Sequence, residues 1–155
     1  MTVSNTPKQT PIEIYKQIHA YAPVPCVDMV VIQDNKILLG RRTNKPAQGE
    51  YWFPGGGILK GETRIEAVHR KMKQETGLDV KIIKELGTDE TLFPDGPFGG
   101  PTHTINTVYL VEPIGENTLT ADSQNDVLEW FATPPDNLHP YVEKFINLAK
   151  ITRSK

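Results

Sequence analysis

Cysteine is nearly absent. Cys26 is the only one in 155 residues, so the chain can form no internal disulfide and no zinc cluster built on several thiolates. A reducing, cytoplasmic setting is the expectation. A surplus of charge is missing too: seventeen Lys+Arg stand against nineteen Asp+Glu, a formal net charge of -2. No global basic field advertises nucleic acid as a partner, and any phosphate must be met by a local cluster. No apolar run approaches the length that spans a bilayer, and the opening MTVSNTPKQT has neither a basic n-region nor an apolar h-region. No membrane partner, export or anchoring is therefore expected. Repeats and low-complexity tracts are lacking as well. What is present suffices for one core, since 37% of residues are hydrophobic, with two Trp, five Phe and five Tyr. The expected organisation is a loose polar tail over 1–9 and a single domain over 10–155.

Helix and strand signals interleave along that domain. Thr10, Pro11 and Glu13 fit an N-cap, a first helical position and a capping partner, with Ile14, Ile18 and Tyr21 at helical spacing behind them. Pro23 and Pro25 end that helix, and Cys26 to Gln33 reads as a strand that turns at Asp34-Asn35 into a second, Lys36 to Arg41. Thr63 and Glu66 form a capping box, Gly77 supplies a left-handed stop, and Ile65, Val68 and Met72 mark the apolar stripe between them. Leu78 to Leu86 and Ile105 to Val111 are strand candidates. Between them, the three Gly and three Pro of PDGPFGGP require a hairpin loop or lid. A last helix starting at Pro140 carries Val142, Phe145, Ile146 and Ala149 on one side. Strands interleaved with three helices predict a mixed α/β domain.

The chemistry concentrates in one segment. From Gly56 the chain reads Gly, five residues, Glu62, seven residues, Arg70, then Lys71, Met72, Lys73, Gln74, Glu75, Thr76, Gly77 and Leu78. This resembles the Nudix box, as does the approach through Trp52-Phe53-Pro54-Gly55-Gly56. The resemblance implies a Nudix α/β/α sandwich with a mixed β-sheet. It also implies chemistry on a pyrophosphate ester, where an anionic leaving group calls for a divalent cation held by oxygen donors.

Two positions depart from the box: Lys71 and Gln74 stand where the pattern has glutamates. A positive charge and a neutral amide in those places argue against a cluster of two or three metals. The same departures resemble the GDP-mannose mannosyl hydrolases, in which the helix keeps its last glutamate, here Glu75. That likeness extends to ILLGRRTNKPAQG at 37–49, to Val27-Asp28-Met29, and to Gln124, Asp126 and Trp130. It implies a nucleotide-sugar substrate attacked by water at the anomeric carbon, with a nucleoside diphosphate leaving. It further implies one magnesium, or manganese in its place, held by the Gly55 carbonyl, Glu75 and Gln124. Arg42 and Arg70 fall on leaving-group arginines, Asp28 on a carboxylate near the sugar, and a homodimer is the implied assembly.

Asn125 falls where those enzymes carry a general-base histidine, and it cannot accept a proton at neutral pH. Gly57 replaces a further arginine and Thr107 a strand tyrosine. His103, Asp122 and Asp126 are the candidates to supply the missing base.

Each site residue also has a bland reading. Glu75 can pair with Lys71 one turn back, and Arg70 with Glu66. Asp28 can face solvent on a half-exposed strand. Of Arg41 and Arg42, alternation lets one face inwards, with Asn44 beside it for base or phosphate contacts. Trp52 can stack on a base or simply fill the core. The reading reached is a magnesium-dependent nucleotide-sugar hydrolase. Its rivals are a conventional Nudix pyrophosphohydrolase and a nucleotide-sugar binding module that has lost turnover.

Overall fold

The computed structural model describes residues 9–115, 119 and 127–153. Within them lie β1 (Val24–Gln33), β2 (Lys36–Arg41), β3 (Tyr51–Trp52), β4 (Gly55–Gly57), β5 (Val80–Phe93), β6 (Thr102–Pro113) and β7 (Val127–Phe131), with helices α1 (Ile12–Tyr21), α2 (Arg64–Thr76) and α3 (Pro140–Arg153). The strands form one mixed sheet in the order β3-β2-β1-β6-β5, with β4 pairing β1 and β7 pairing β2. β1 and β6 run parallel at its centre, Asp28 opposite Val108, and the other pairings are antiparallel. No described helix is long and apolar enough to cross a membrane.

Side-chain alternation sorts β1 onto two faces. Val30 and Ile32 join Ile37, Leu39, Val108 and Leu110 beneath α3, which contributes Tyr141, Val142, Phe145, Ile146 and Ala149. Val27, Met29 and Val31 join Leu38, Tyr109 and Val111 beneath α2, which contributes Ala67, Val68 and Met72. The result is the expected α/β/α sandwich. Both faces of β1 are covered, which explains its nearly unbroken apolar run.

Several local expectations are met. Asp34 and Asn35 both take positive φ (52° and 60°), as a tight hairpin turn requires. Thr63 caps α2 reciprocally with Glu66, and Gly77 closes it at φ 75°. Others are corrected. α1 has Pro11 at its N-cap with no side-chain cap bond, since the extended Pro11 already ends the helix and its carbonyl takes the Ile14 and Tyr15 amides. Its supposed core stripe is exposed: Ile14 is 50%, Ile18 37% and Tyr21 89% accessible. The helix instead turns Tyr15 and His19 inwards, edge-on to one another and both against Phe98. On α2, Ile65 stays exposed and Ala67 takes its place in the buried face. The hairpin of β5 and β6 is longer than expected, because polar Thr88–Thr107 and Thr91–Thr104 contacts carry it beyond the apolar part.

Candidate active site

Along β6 the residues facing α3 change character. Val108 and Leu110 are core, whereas Thr102, Thr104 and Asn106 on the same side are polar. The changeover marks where sheet stops being core and becomes the floor of a cleft of about 490 Å³. The buried Asn106 donates its amide to Thr104 Oγ1 at 3.0 Å, and Thr104 and Thr91 share a hydroxyl contact. Tyr15, His19 and Phe98 form one wall, while Arg42, Asn44 and Pro46 form another. Asp28, Cys26, Gly55, Gly56 and Gly57 lie at the inner end. Such a volume suits a small organic ligand.

Asp28 is the buried carboxylate of this cleft, 6% exposed. Tyr141, from the first turn of α3, donates its hydroxyl to Asp28 Oδ2 at 2.6 Å. The Trp52 indole also favours its charged form. Burial pushes the Asp28 carboxyl up, the Tyr141 bond pulls it back, the Glu75 charge raises it further, and Arg42 and Trp52 oppose; the outcome is about 7. The same pairing and burial drive the Tyr141 hydroxyl upwards, so it stays a donor. Cys26 is pushed to about 12 by burial, with the Asp28 charge adding to it, and is no nucleophile at neutral pH.

Gly55 lets the two faces of the sheet communicate. It stands opposite Asp28 in the β1–β4 pair, and a Cβ there would fall 2.1 Å from Asp28 Oδ1. Its N–H donates to Glu75 Oε2 at 3.1 Å. One glycine thus seats a carboxylate from β1 and another from α2, which explains how Glu75 comes to raise Asp28. Gly56 is open for a different reason: a Cβ would meet Lys71 Cε at 2.6 Å. The Lys71 ammonium rests there and pairs with Glu75 Oε1 at 3.0 Å.

The expected site residues divide accordingly. Asp28, Arg42, Asn44, Trp52, Gly55 and Gly56 line one cleft, with Glu75 hydrogen-bonded to Gly55. Arg42 is the inward member of its pair, its Nε donating to the Pro46 carbonyl at 2.7 Å, while Arg41 is exposed. Trp52 fills the core, 7% exposed, with its ring stacked on Tyr141 at 5.3 Å, so that face is closed to a base. Arg70 pairs with Glu62 rather than Glu66, whose carboxylate is held by the capping box. Nε and Nη2 grip the two Glu62 oxygens at 2.6 and 2.9 Å, Nη2 also donates to the Gly57 carbonyl, and Nη1 to Gln74. Through these contacts the Arg70 guanidinium clasps the glycine strand to the helix. Glu62 also accepts the Leu59 N–H; despite some burial, Arg70 and that amide hold its carboxyl below the usual value.

His103 is exposed on the hairpin and pairs with Glu90 at 2.8 Å, outside the cleft. Thr107 is buried, with its hydroxyl on Thr88. Asp122, Gln124, Asn125 and Asp126 lie outside the described residues. Among the described residues, no group of three or more His, Cys, Asp or Glu is placed to hold a metal ion.

Sequence reasoning missed Tyr141, His19 and Phe98. Tyr141 directly follows the helix-starting proline, and an aromatic hydroxyl there was the available signal.

A family model for the NUDIX domain matches residues 22–150. The chain is 35% identical over 139 residues to the low-salt glycan biosynthesis protein Agl8 of Haloferax volcanii, covering 88% of each. It is 38% identical over 104 residues to the ADP-ribose pyrophosphatase of Methanocaldococcus jannaschii, covering 67% of this chain and 59% of that protein. Among solved structures, the MutT NUDIX hydrolase from Burkholderia pseudomallei superposes with a TM-score of 0.69 at 24% identity, covering 81% of this chain and 97% of that one. The NUDIX domain of Shewanella oneidensis NrtR, solved with ADP ribose, gives 0.67 at 21% identity, covering 94% and 99%. At such identities the structural likeness speaks for the fold.

Proposed function

The chain belongs to the NUDIX domain family, and from that premise we propose that it hydrolyses a nucleotide sugar in the manner of the GDP-mannose mannosyl hydrolases. Water attacks the anomeric carbon of the sugar and a nucleoside diphosphate leaves. The observation that carries this reading is Asp28, a buried carboxylate in the cleft whose pKa lies at about 7, where a general base works best at neutral pH. It takes the role that Asn125 cannot fill.

In the proposed step the attacking water gives its proton to Asp28 as its oxygen bonds to the anomeric carbon. The bond from that carbon to the phosphate oxygen breaks, and its electron pair departs with the diphosphate. Tyr141 fixes the carboxylate in place by its hydrogen bond. Arg42 is aimed by its bond to Pro46, and among the described residues its terminal N–H groups are left for the departing anion. Asn106 and the threonines of the floor suit the hydroxyls of a sugar. The likeness to a glycan biosynthesis protein over most of both chains agrees with a nucleotide sugar.

Nudix hydrolases generally use divalent metal ions such as magnesium. The described residues of this chain do not fit one as they stand. Glu75, the helix carboxylate expected to bind it, has one oxygen on the Lys71 ammonium and the other on the Gly55 N–H. No step above is routed through a metal.

The test is turnover of a panel of sugar nucleotides and ADP-ribose in oxygen-18 water. Label in the released sugar, with unlabelled nucleoside diphosphate, is the expected result. The likeness to an ADP-ribose pyrophosphatase favours a second reading, attack on phosphorus, which would put the label in a phosphate product. Tight binding of a nucleotide sugar without turnover would instead identify a binding module.

A further inference from the structure

We propose that the Lys71 ammonium occupies the position of a divalent cation in this site and itself receives the diphosphate of the substrate. The inference rests on the nucleotide-sugar reading above and deepens it. Its starting point is where the lysine goes. A lysine near a helix surface ordinarily extends its charged head into water. Lys71 instead lies back over the glycine strand with its side chain only 19% exposed.

The strand is shaped to admit it. At Gly56 a Cβ would stand 2.6 Å from Lys71 Cε and 3.0 Å from Nζ, so any side chain there would evict the ammonium. Glu75 anchors it at 3.0 Å. The second Glu75 oxygen is taken by the Gly55 N–H, so this carboxylate balances one monovalent cation and one amide dipole. A divalent ion could reach Glu75 only by displacing Lys71, against repulsion between like charges.

The ammonium borders the cleft through Gly56, which lines it, although Lys71 is not itself a lining residue. Its field reaches the Cys26 thiol, and Cys26 and Gly56 both line the cleft. Arg70 is not a competing source of charge, because Glu62 neutralises it. An ammonium has three donors, and among the described residues Lys71 spends one on Glu75. The others remain for phosphate oxygens, with Arg42 and Lys45 as cations that line the cleft, Lys45 being paired with Asp95. As a compact point charge on a flexible stem, lysine suits phosphate well.

Calorimetry with GDP and ADP, each in excess EDTA and again in magnesium, tests this, alongside a manganese titration of the nucleotide-free protein followed by electron paramagnetic resonance. Wild type should bind at least one nucleotide with affinities in EDTA and magnesium that agree within about threefold. Lys71→Met should lose at least about tenfold in EDTA, and Lys71→Arg should retain most of it. Lys71→Glu should bind manganese at least about tenfold more tightly than wild type and make nucleotide binding metal-dependent. Wild-type binding that needs magnesium, or manganese affinity equal in wild type and Lys71→Glu, would overturn the inference and leave the substrate reading standing. Failure of wild type to bind either nucleotide under both conditions would overturn the substrate reading and the diphosphate role with it. The manganese comparison would still decide whether Lys71 holds the cation's place.

Discussion

Helix α2 carries two ion pairs of opposite design. Near its start, Glu62 is gripped by Arg70 through two bonds, with the Glu62 side chain only 3% exposed. One turn on, Glu75 meets Lys71 through one contact, each side chain about a fifth exposed (20% and 19%). A guanidinium is a planar fork that can close both carboxylate oxygens and still reach the Gly57 carbonyl. An ammonium touches one oxygen and keeps donors in hand. The first pair fastens the glycine strand to the helix, and the second rests an ammonium over Gly56, which lines the cleft. Asp28 completes the contrast: its side chain is buried like that of Glu62 but is hydrogen-bonded by a hydroxyl rather than by a cation, and its carboxyl is pushed up to about 7.

The largest effect is expected where the carboxylate is unneutralised. Asp28→Asn should lower turnover by about 100- to 10,000-fold, the usual contribution of a positioned base. In the wild type, kcat/KM should rise with pH through about 7 as Asp28 ionises. Stability runs the other way. A carboxyl raised from 3.8 to about 7 favours folding fully below the unfolded value, and that contribution is lost as pH rises through 7. The neutral Asn variant escapes the loss. At pH 8 it should therefore be more stable than wild type by up to roughly 4 kcal/mol, shrinking towards zero below pH 4. Denaturant titrations at both pH values would show it; equal stability at pH 8 would mean that Asp28 is not strained.

Next comes the clasp. Arg70→Met leaves Glu62 buried without its cation, a loss of about 3–5 kcal/mol for a pair of this kind. Urea unfolding measures it directly. Replacing both partners, as in Glu62→Gln with Arg70→Met, should recover part of the loss, because no uncompensated charge remains. A single variant costing less than about 1 kcal/mol would show that the pair behaves as a surface salt bridge.

Tyr141→Phe should act more gently. It removes a hydroxyl that favours the ionised Asp28, so the rising limb of the pH profile should move above 7 while the ring packing against Trp52 and Phe145 survives. The stability cost should be about 1 kcal/mol below pH 6. An unmoved limb would mean that Asp28 is not the group whose ionisation the profile reports.

These partners differ in how far they could be read from sequence. The Lys71–Glu75 pair and the Thr63–Glu66 cap lie within one turn of helix, where spacing alone decides contact. Asp28 and Tyr141 are 113 residues apart, and nothing local in either segment announces the other. Gly55 and Gly56 read as a loop that must approach a ligand, but what they admit, a β1 carboxylate and an α2 lysine, follows from the tertiary fold. The α1 stripe failed because periodicity identifies a face without saying what covers it; Tyr15 and His19, not the isoleucines, meet the protein. The place of Arg70 in the motif carries no record of its contacts with Glu62, Gly57 and Gln74, which also follow from the fold.

The smallest effect on stability should come from the most consequential lysine. Lys71 and Glu75 are partly exposed and joined by a single contact, a class of pair that typically contributes less than about 1 kcal/mol. Lys71→Met keeps an unbranched stem to lie over Gly56, so little packing is lost. The variant should unfold within about 1 kcal/mol of wild type, whereas Arg70→Met, one residue away on the same helix, should not. If Lys71→Met proves as damaging as Arg70→Met, the ammonium is a structural clasp like the guanidinium, and its weakened nucleotide binding would follow from a disordered loop. If it unfolds like wild type while losing nucleotide affinity, the two pairs differ as their geometry indicates, one holding the strand and the other the ligand.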